Sequence, residues 1–308
     1  MSATMAATVP IENNAPIPTW FGVGGNAKRL AHPRALDELR QCLDLDPKLR
    51  ILGDGANLLV ADGGVDELVV ALDQGDFAQM SVDAATGMVL AGAGVNLPKL
   101  ILETTKLCLG GLENLGGIPA SVGGAVIMNA GGQFGQTGDY VHAVHAMTRA
   151  GEPVTLKRNQ IEFTYRHSRF GDHKGLIVTG AQFKLKRAEA EQLRTKLKDV
   201  MAYKKTTQPM GERSAGCAFK NPILRDDLPG VAVAGSKVSA GMLIDKAGCK
   251  GLKVGGAQVS DRHGNFLCAG QGCTASDVLK LMREVRSRVQ AKFGLMLEPE
   301  VAIWGDVL

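Results

Sequence analysis

Gly53-Asp54-Gly55-Ala56-Asn57-Leu58-Leu59-Val60 lies between two aliphatic runs, Ile51-Leu52 before it and Leu68-Val69-Val70-Ala71-Leu72 after it, and the order reads strand, tight glycine turn, strand. Gly53-x-Gly55-x-Asn57 can present consecutive backbone N–H groups to a pyrophosphate with no Cβ in the way. A hairpin turn uses the same residues, and in isolation the segment fits that reading better.

Outward from this turn, glycine is the compositional signature of the chain. The 39 glycines gather at residues 22–25, 53–64, 92–94, 110–135 and 251–256, where the chain is neither periodic nor strongly charged, and such loops fit around ligands. The densest run is Gly116-Gly117-Ile118-Pro119-Ala120-Ser121-Val122-Gly123-Gly124-Ala125, continuing to Asn129-Ala130-Gly131-Gly132. It exceeds what one turn requires and suits a loop that lines a ligand. Gly92-x-Gly94 lacks the third glycine and the acidic ribose partner of the Rossmann fingerprint, so a dinucleotide here is held in another way.

A chain of 308 residues with 45% hydrophobic content predicts roughly two domains, or three small ones, with packed cores. The formal charge of +4 is spread without a Lys/Arg block, which fits small anionic ligands better than nucleic acid. The six cysteines, Cys42, Cys108, Cys217, Cys249, Cys268 and Cys273, form no C-x-x-C pair, as expected among the reduced thiols of the cytoplasm. No apolar run is long enough to span a bilayer, and no obligate protein partner is evident. Residues 1–18, through Pro16-Ile17-Pro18, lack the basic start and apolar core of a signal peptide and read as a loose tail.

Apolar spacing predicts a short helix over 34–43 after Pro33 and a second from Asn96-x-Pro98 to near Gly110. Strands are expected over 142–148 and 176–185, and a charged surface helix over 187–203, with a domain boundary near 205. The last third carries a helix from Ser239 to about Gly248 and another over about 276–293, where Thr274-x-x-Asp277 resembles a capping box.

Three further segments offer chemistry. In Tyr165-Arg166-His167-Ser168-Arg169 two guanidinium groups lie close together, and each can grip a carboxylate or phosphate with paired bonds; a solvated surface turn has the same look. Ser214-Ala215-Gly216-Cys217-Ala218-Phe219-Lys220-Asn221-Pro222 sets a proton-bearing thiol on a glycine turn beside a cation and an amide, although a small buried cysteine fits too. Glu300 sits on an apolar C-terminal strand, where a lone carboxylate is usually an edge charge. His142 and His145 lack a third ligand nearby, so no metal is expected.

Taken in order, Trp20-Phe21-Gly22-Val23-Gly24-Gly25, the stretch from Leu52 to Leu59, Gly117 through Gly131, Tyr165-Arg166, Ser214 through Pro222, Gly255-Gly256-Ala257-Gln258-Val259-Ser260 and Leu297-Glu298-Pro299-Glu300-Val301 closely resemble the UDP-N-acetylenolpyruvoylglucosamine reductases. That family makes UDP-N-acetylmuramate for the bacterial cell wall. The resemblance runs from about residue 19 to 305, and the length is similar to that of the family's shorter subtype.

The resemblance implies an α+β protein in which residues 19–75 and 300–308 form one FAD-binding subdomain and 76–205 a second, of the vanillyl-alcohol-oxidase-like type. Residues 206–299 would form a smaller α+β substrate-binding domain, and 1–18 a flexible tail. It implies FAD contacts from Gly53, Asp54, Gly55, Ala56, Asn57 and Leu58, and from Gly117, Ile118, Pro119, Ser121, Gly123, Gly124, Asn129 and Gly131. Side chains introduced at Gly55 or Gly124 are then expected to expel FAD by steric block.

The chemistry implied is reduction of FAD by NADPH, then hydride transfer to the vinyl carbon of UDP-N-acetylglucosamine enolpyruvate. By motif position Arg166 and Glu300 stand at the carboxylate where negative charge builds, and Cys217 gives a proton to the neighbouring carbon. Glu300 helps only if it is protonated or oriented by Arg166. Tyr165, Lys205, Lys220, Asn221 and Gln258 are the implied substrate contacts. The family usually has serine where Cys217 stands; a thiol is the stronger acid and is open to oxidation and alkylation. A small-molecule oxidase of the same flavin fold and a non-catalytic nucleotide-binding module are the competing classes. Neither needs the Ser214–Pro222 and Leu297–Val301 motifs.

Overall fold

A computed structural model describes residues 9–170 and 175–305; residues 1–8 of the expected tail and 306–308 of the expected C-terminal segment lie outside the described residues. The chain folds as two units. One comprises residues up to Ala15, Ala27–Asp54 and Asp66–Tyr203, and the other Pro16–Asn26, Gly55–Val65 and the chain from Lys204 onward.

The two larger sheets described in the first unit shape its core. In one, Ile11–Ala15 pairs antiparallel with Ala27–Ala31, Val65–Ala71 lies next, and Arg50–Leu52 closes the edge in parallel. The other is antiparallel throughout, in the order Pro153–Lys157, Val141–Thr148, Leu176–Lys184, Met88–Gly92, Met80–Asp83. Helices α1 (Leu36–Leu45), α2 (Leu97–Lys106) and α3 (Val122–Ile127) bury Leu39, Leu43, Leu97, Leu100, Ile101, Val122 and Val126 with the sheet residues Leu68, Val70, Val89, Ala91, Val144, Val178 and Phe183.

The start of α2 follows its sequence signal: Asn96 Oδ1 accepts from Lys99 N–H at 3.1 Å, and Pro98 sits in the first turn. It ends at Lys106, short of the expected Gly110, because Cys108 takes a left-handed φ of 58°. The boundary between the units falls inside α4 (Ala190–Thr207), after Tyr203.

The second unit packs α5 (Ala240–Lys246) and α6 (Ala275–Phe293) with a three-stranded antiparallel sheet, Lys253–Val254, Ala257–Val259 and Leu267–Ala269. Thr274 and Asp277 form the expected reciprocal capping box, and Val278, Leu281, Met282, Val285 and Val289 are buried along one stripe. A parallel pair, Leu58–Val60 with Ala302–Trp304, brings the end of the chain against residues 58–60.

Four expectations are corrected. Residues 11–15 are not loose: they form a strand, with Val9, Ala15 and Ile17 buried, and the polar Glu12-Asn13-Asn14 between them hid the pattern. Residues 53–57 do not close a hairpin, because Arg50–Leu52 and Leu58–Val60 pair in parallel with different partners. The glycine-rich run is not all loop, since Ser121 caps α3 by accepting from Gly124 N–H at 3.3 Å. Glu300 precedes the final strand, which begins at Ala302.

Candidate active site

In the first unit, the loop before α3 is stitched to the loop before α2. Leu97 N–H donates to Ala120 O, Val122 N–H to Val95 O and Gly123 N–H to Ala93 O, each at 2.8 Å. Gly53 and Asp54 face this seam. A Cβ at Gly53 would come within 2.6 Å of Ser121 Oγ, so a side chain there would push the Ser121 cap of α3 aside. Asn96 Nδ2 donates to Asp54 Oδ2 at 3.2 Å, and burial lifts the Asp54 carboxyl above its usual range against the pull of that bond.

The first turn of α3 spends its amides internally, at Val95, Ala93 and Ser121, so those of Gly123 and Gly124 do not remain for a ligand. The turn at residues 53–57 differs: among the described residues, the N–H groups of Gly53, Asp54, Gly55, Ala56 and Asn57 donate to no protein acceptor. Gly55 has a left-handed φ of 63°, and a side chain there would overlap the Pro18 carbonyl oxygen. The expectation that substitution of Gly55 acts by blocking a ligand is therefore corrected: it would break the turn itself. Gly124 is the cleaner probe, since a Cβ there meets only Ser121 Oγ, at 3.3 Å.

Arg166 sits on a two-residue turn between Phe163–Thr164 and His167–Ser168, with Tyr165 beside it. Its φ is 54°, a left-handed value that costs a non-glycine residue about 1–2 kcal/mol. The guanidinium lies over the Tyr165 ring, 5.2 Å from its centroid. Asn129, one of the expected flavin contacts, braces this hairpin: its Nδ2 donates to Thr164 O at 2.9 Å and to Gln136 Oε1 at 3.0 Å, and its Oδ1 accepts from Gly138 N–H at 2.9 Å. Ser168 Oγ donates to Ile127 O at 2.7 Å, tying the hairpin to the end of α3.

In the second unit, residues 217–220 run as an extended segment between two others. Cys217 bridges Phe266 on one side, and Phe219 bridges Pro299 on the other. Glu300 N–H donates to Ala218 O at 2.8 Å, and Lys220 N–H to Glu298 O at 2.9 Å. Cys217 and Glu300 thus come from adjacent segments, each half-buried, and Gly216 before the thiol takes a left-handed φ of 75°.

Asn265 makes this arrangement possible, and nothing in the sequence pattern pointed to it. It is 2% exposed, its Oδ1 accepts from Phe219 N–H at 3.0 Å and its Nδ2 donates to Phe219 O at 2.7 Å, so one amide replaces a strand partner. Asn265→Ala leaves both Phe219 groups buried and unpaired and should cost roughly 2–4 kcal/mol of unfolding free energy. Denaturant titration checks this, and a loss under about 1 kcal/mol would show that water or a neighbour takes over.

The remaining expected substrate contacts are scattered over the fold. Asn221 Oδ1 accepts from Ala240 N–H at 2.9 Å at the start of α5, and Gln258 Nε2 donates to Asp261 Oδ2 at 3.2 Å. Lys220 pairs with exposed Glu298 at 3.6 Å, a contact worth little by itself. Lys205 is exposed near the end of α4, where its carbonyl accepts from Arg262. His142 and His145 lie on one strand, with a register shift at His142, and His145 Nδ1 lies 3.0 Å from Thr155 Oγ1.

Comparison with known proteins gives these segments a context. A family model described as the C-terminal domain of UDP-N-acetylenolpyruvoylglucosamine reductase matches residues 208–304, and an FAD binding domain model matches residues 29–157. The UDP-N-acetylenolpyruvoylglucosamine reductase of Moorella thermoacetica is 39% identical over 294 residues, covering 94% of this chain and 91% of that protein. The chain belongs to this reductase family. The reductase of a Bradyrhizobium strain is 38% identical over 304 residues, 98% of this chain and 93% of its own. The solved structure of the Thermus caldophilus reductase superposes with a TM-score of 0.80 at 39% identity, covering 96% of this chain and 99% of that one.

The FAD of a reductase in this family fits what the fold supplies. A row of unspent amides at residues 53–57 suits a pyrophosphate. Gly124→Val should weaken FAD binding roughly tenfold or more, about 1.4 kcal/mol, without unfolding the protein. Equal FAD affinity in the variant and the natural protein, measured by fluorescence titration, would remove α3 from the flavin site.

Proposed function

We infer that this chain is an FAD-dependent reductase that uses NADPH to convert UDP-N-acetylglucosamine enolpyruvate to UDP-N-acetylmuramate, a step in building the bacterial cell wall. The observation that carries the reading is the adjacency of the Cys217 and Glu300 segments, held by the Glu300 to Ala218 bond, inside the region matched by the reductase-specific model. Bound FAD supplies the hydride chemistry.

The chain's own residues do the rest. The amides of residues 53–57 hold the cofactor pyrophosphate. Arg166 meets the substrate carboxylate, where a planar guanidinium offers paired, charge-assisted bonds as negative charge grows. Glu300 assists at the same charge when it carries a proton or has a cation beside it. Cys217 Sγ–H delivers the proton to the carbon next to the one that takes hydride. Asn221, Gln258, Lys205 and Lys220 bind the nucleotide and sugar, Tyr165 supports Arg166, and residues 206–299 form the substrate-binding part. No described helix is long and apolar enough to cross a membrane, and we place the enzyme in the cytoplasm, where its nucleotide substrate is made.

Anaerobic titration of the yellow holoenzyme tests the reading. NADPH should bleach the flavin, the enolpyruvyl substrate should restore its colour, and the product should gain two hydrogens. Colour restored only by oxygen would point instead to an oxidase.

A further inference from the structure

We propose that Asn57 is a positioning residue for Glu300, fixing the backbone of the acidic residue with its side-chain amide. The inference rests on the reading that Glu300 acts on the substrate. The parallel ladder between Leu58–Val60 and Ala302–Trp304 ends at the Leu58 and Ala302 pair. It stops because the chain turns away through Gly55, whose φ is 63°.

Asn57 carries the hold further by two bonds of different kinds. Its carbonyl accepts from Ala302 N–H at 3.0 Å, and its Nδ2 donates to Glu300 O at 3.1 Å. The N–H of Glu300 is bonded to Ala218 O at 2.8 Å, so both backbone polar groups of Glu300 are engaged. One bond leads to the segment bearing Cys217 and the other to Asn57. Leu297 and Val301, buried on either side, pin the ends of the segment. Of these two backbone bonds, the one from Asn57 comes from a side chain, so substitution there frees the Glu300 carbonyl without disturbing the ladder.

Loss of that donor lets the peptide after Glu300 rotate, and a displacement of about 1 Å at a reacting group costs on the order of a hundredfold in rate. Asn57→Asp keeps the shape and removes the donor. With FAD saturating, its reoxidation by the enolpyruvyl substrate should slow roughly 10- to 100-fold more than its reduction by NADPH. Product affinity, read by calorimetric titration of UDP-N-acetylmuramate, and the thermal midpoint should change little. In a Glu300→Gln background the same change should slow reoxidation less than about twofold more, because residues that act as one unit are not additive.

The outcomes separate cleanly. If Glu300→Gln alone reoxidises at the natural rate, the reading of Glu300 fails. If Glu300→Gln is slow but Asn57→Asp is as fast as the natural protein, or its effect multiplies fully with that of Glu300→Gln, the positioning role is overturned. Should Asn57→Asp emerge without flavin, Asn57→Ala decides, since it removes the donor without adding charge. Flavin loss in that variant too would make the Asn57 side chain a cofactor ligand and overturn the proposal.

Discussion

Cys217→Ala should reduce its flavin with NADPH at close to the natural rate and then reoxidise it with the enolpyruvyl substrate roughly a thousandfold more slowly, since general acid catalysis contributes about 10²–10⁴. The substitution removes one sulfur from a half-buried position, and the bonds that hold the neighbouring residues, at Ala218 and Phe219, involve backbone alone on this segment. The fold should therefore survive. Cys217→Ser keeps a proton donor of nearly the same size and should retain much of the activity.

An alkylating agent adds an independent readout. Burial raises the thiols of Cys42 to about 11 and of Cys268 to about 12, and raises those of Cys249 and Cys273 as well, so these four stay protonated and slow to react at neutral pH. Inactivation should be fast in the natural protein, slowed by substrate, and much slower in Cys217→Ser, where half-buried Cys108 is labelled without loss of activity. Stopped-flow reoxidation at the natural rate in Cys217→Ala would demote the thiol to a packing group.

Much of the fold was legible where local chemistry and burial agree. Asn96 with Pro98, Ser239, and the pair Thr274 and Asp277 announce helix starts because a cap acts within one turn of its own sequence. The strand at 11–15 was hidden because its stability lies in backbone bonds to Ala27–Ala31, which polar side chains make as well as apolar ones. α3 escaped because its glycines have poor helix propensity, and its position is set by the seam to residues 93–97.

The site shows the same division. The ordered motifs marked Arg166, Cys217 and Glu300, but not what holds them. Asn129, Asn265 and Asn57 each send an amide to a backbone group distant in sequence, at Thr164, Phe219 and Glu300. An asparagine beside glycine reads as a turn residue whether or not its side chain reaches across the fold. That reach is tertiary information. Two of these residues were expected at the cofactor, and their motifs left these bonds unspecified.

Arg166→Gly should separate stability from chemistry more sharply than any alanine change. At a φ of 54° arginine is strained and glycine is not, so the variant should melt at or slightly above the natural temperature, the relief of about 1 kcal/mol being partly offset by the flexibility glycine adds to the unfolded chain. The hairpin keeps its other supports, from Asn129 to Thr164 O and from Ser168 to Ile127 O. Flavin content and reduction by NADPH should stay close to natural. Reoxidation by the enolpyruvyl substrate should fall on the order of a hundredfold or more, because the lost guanidinium stabilises charge that exists only as hydride arrives. Arg166→Lys retains a cation but not the planar paired geometry, and should fall between the two. A glycine variant that slows both half-reactions equally, or that melts several degrees lower, would make Arg166 a structural residue whose strained turn serves packing.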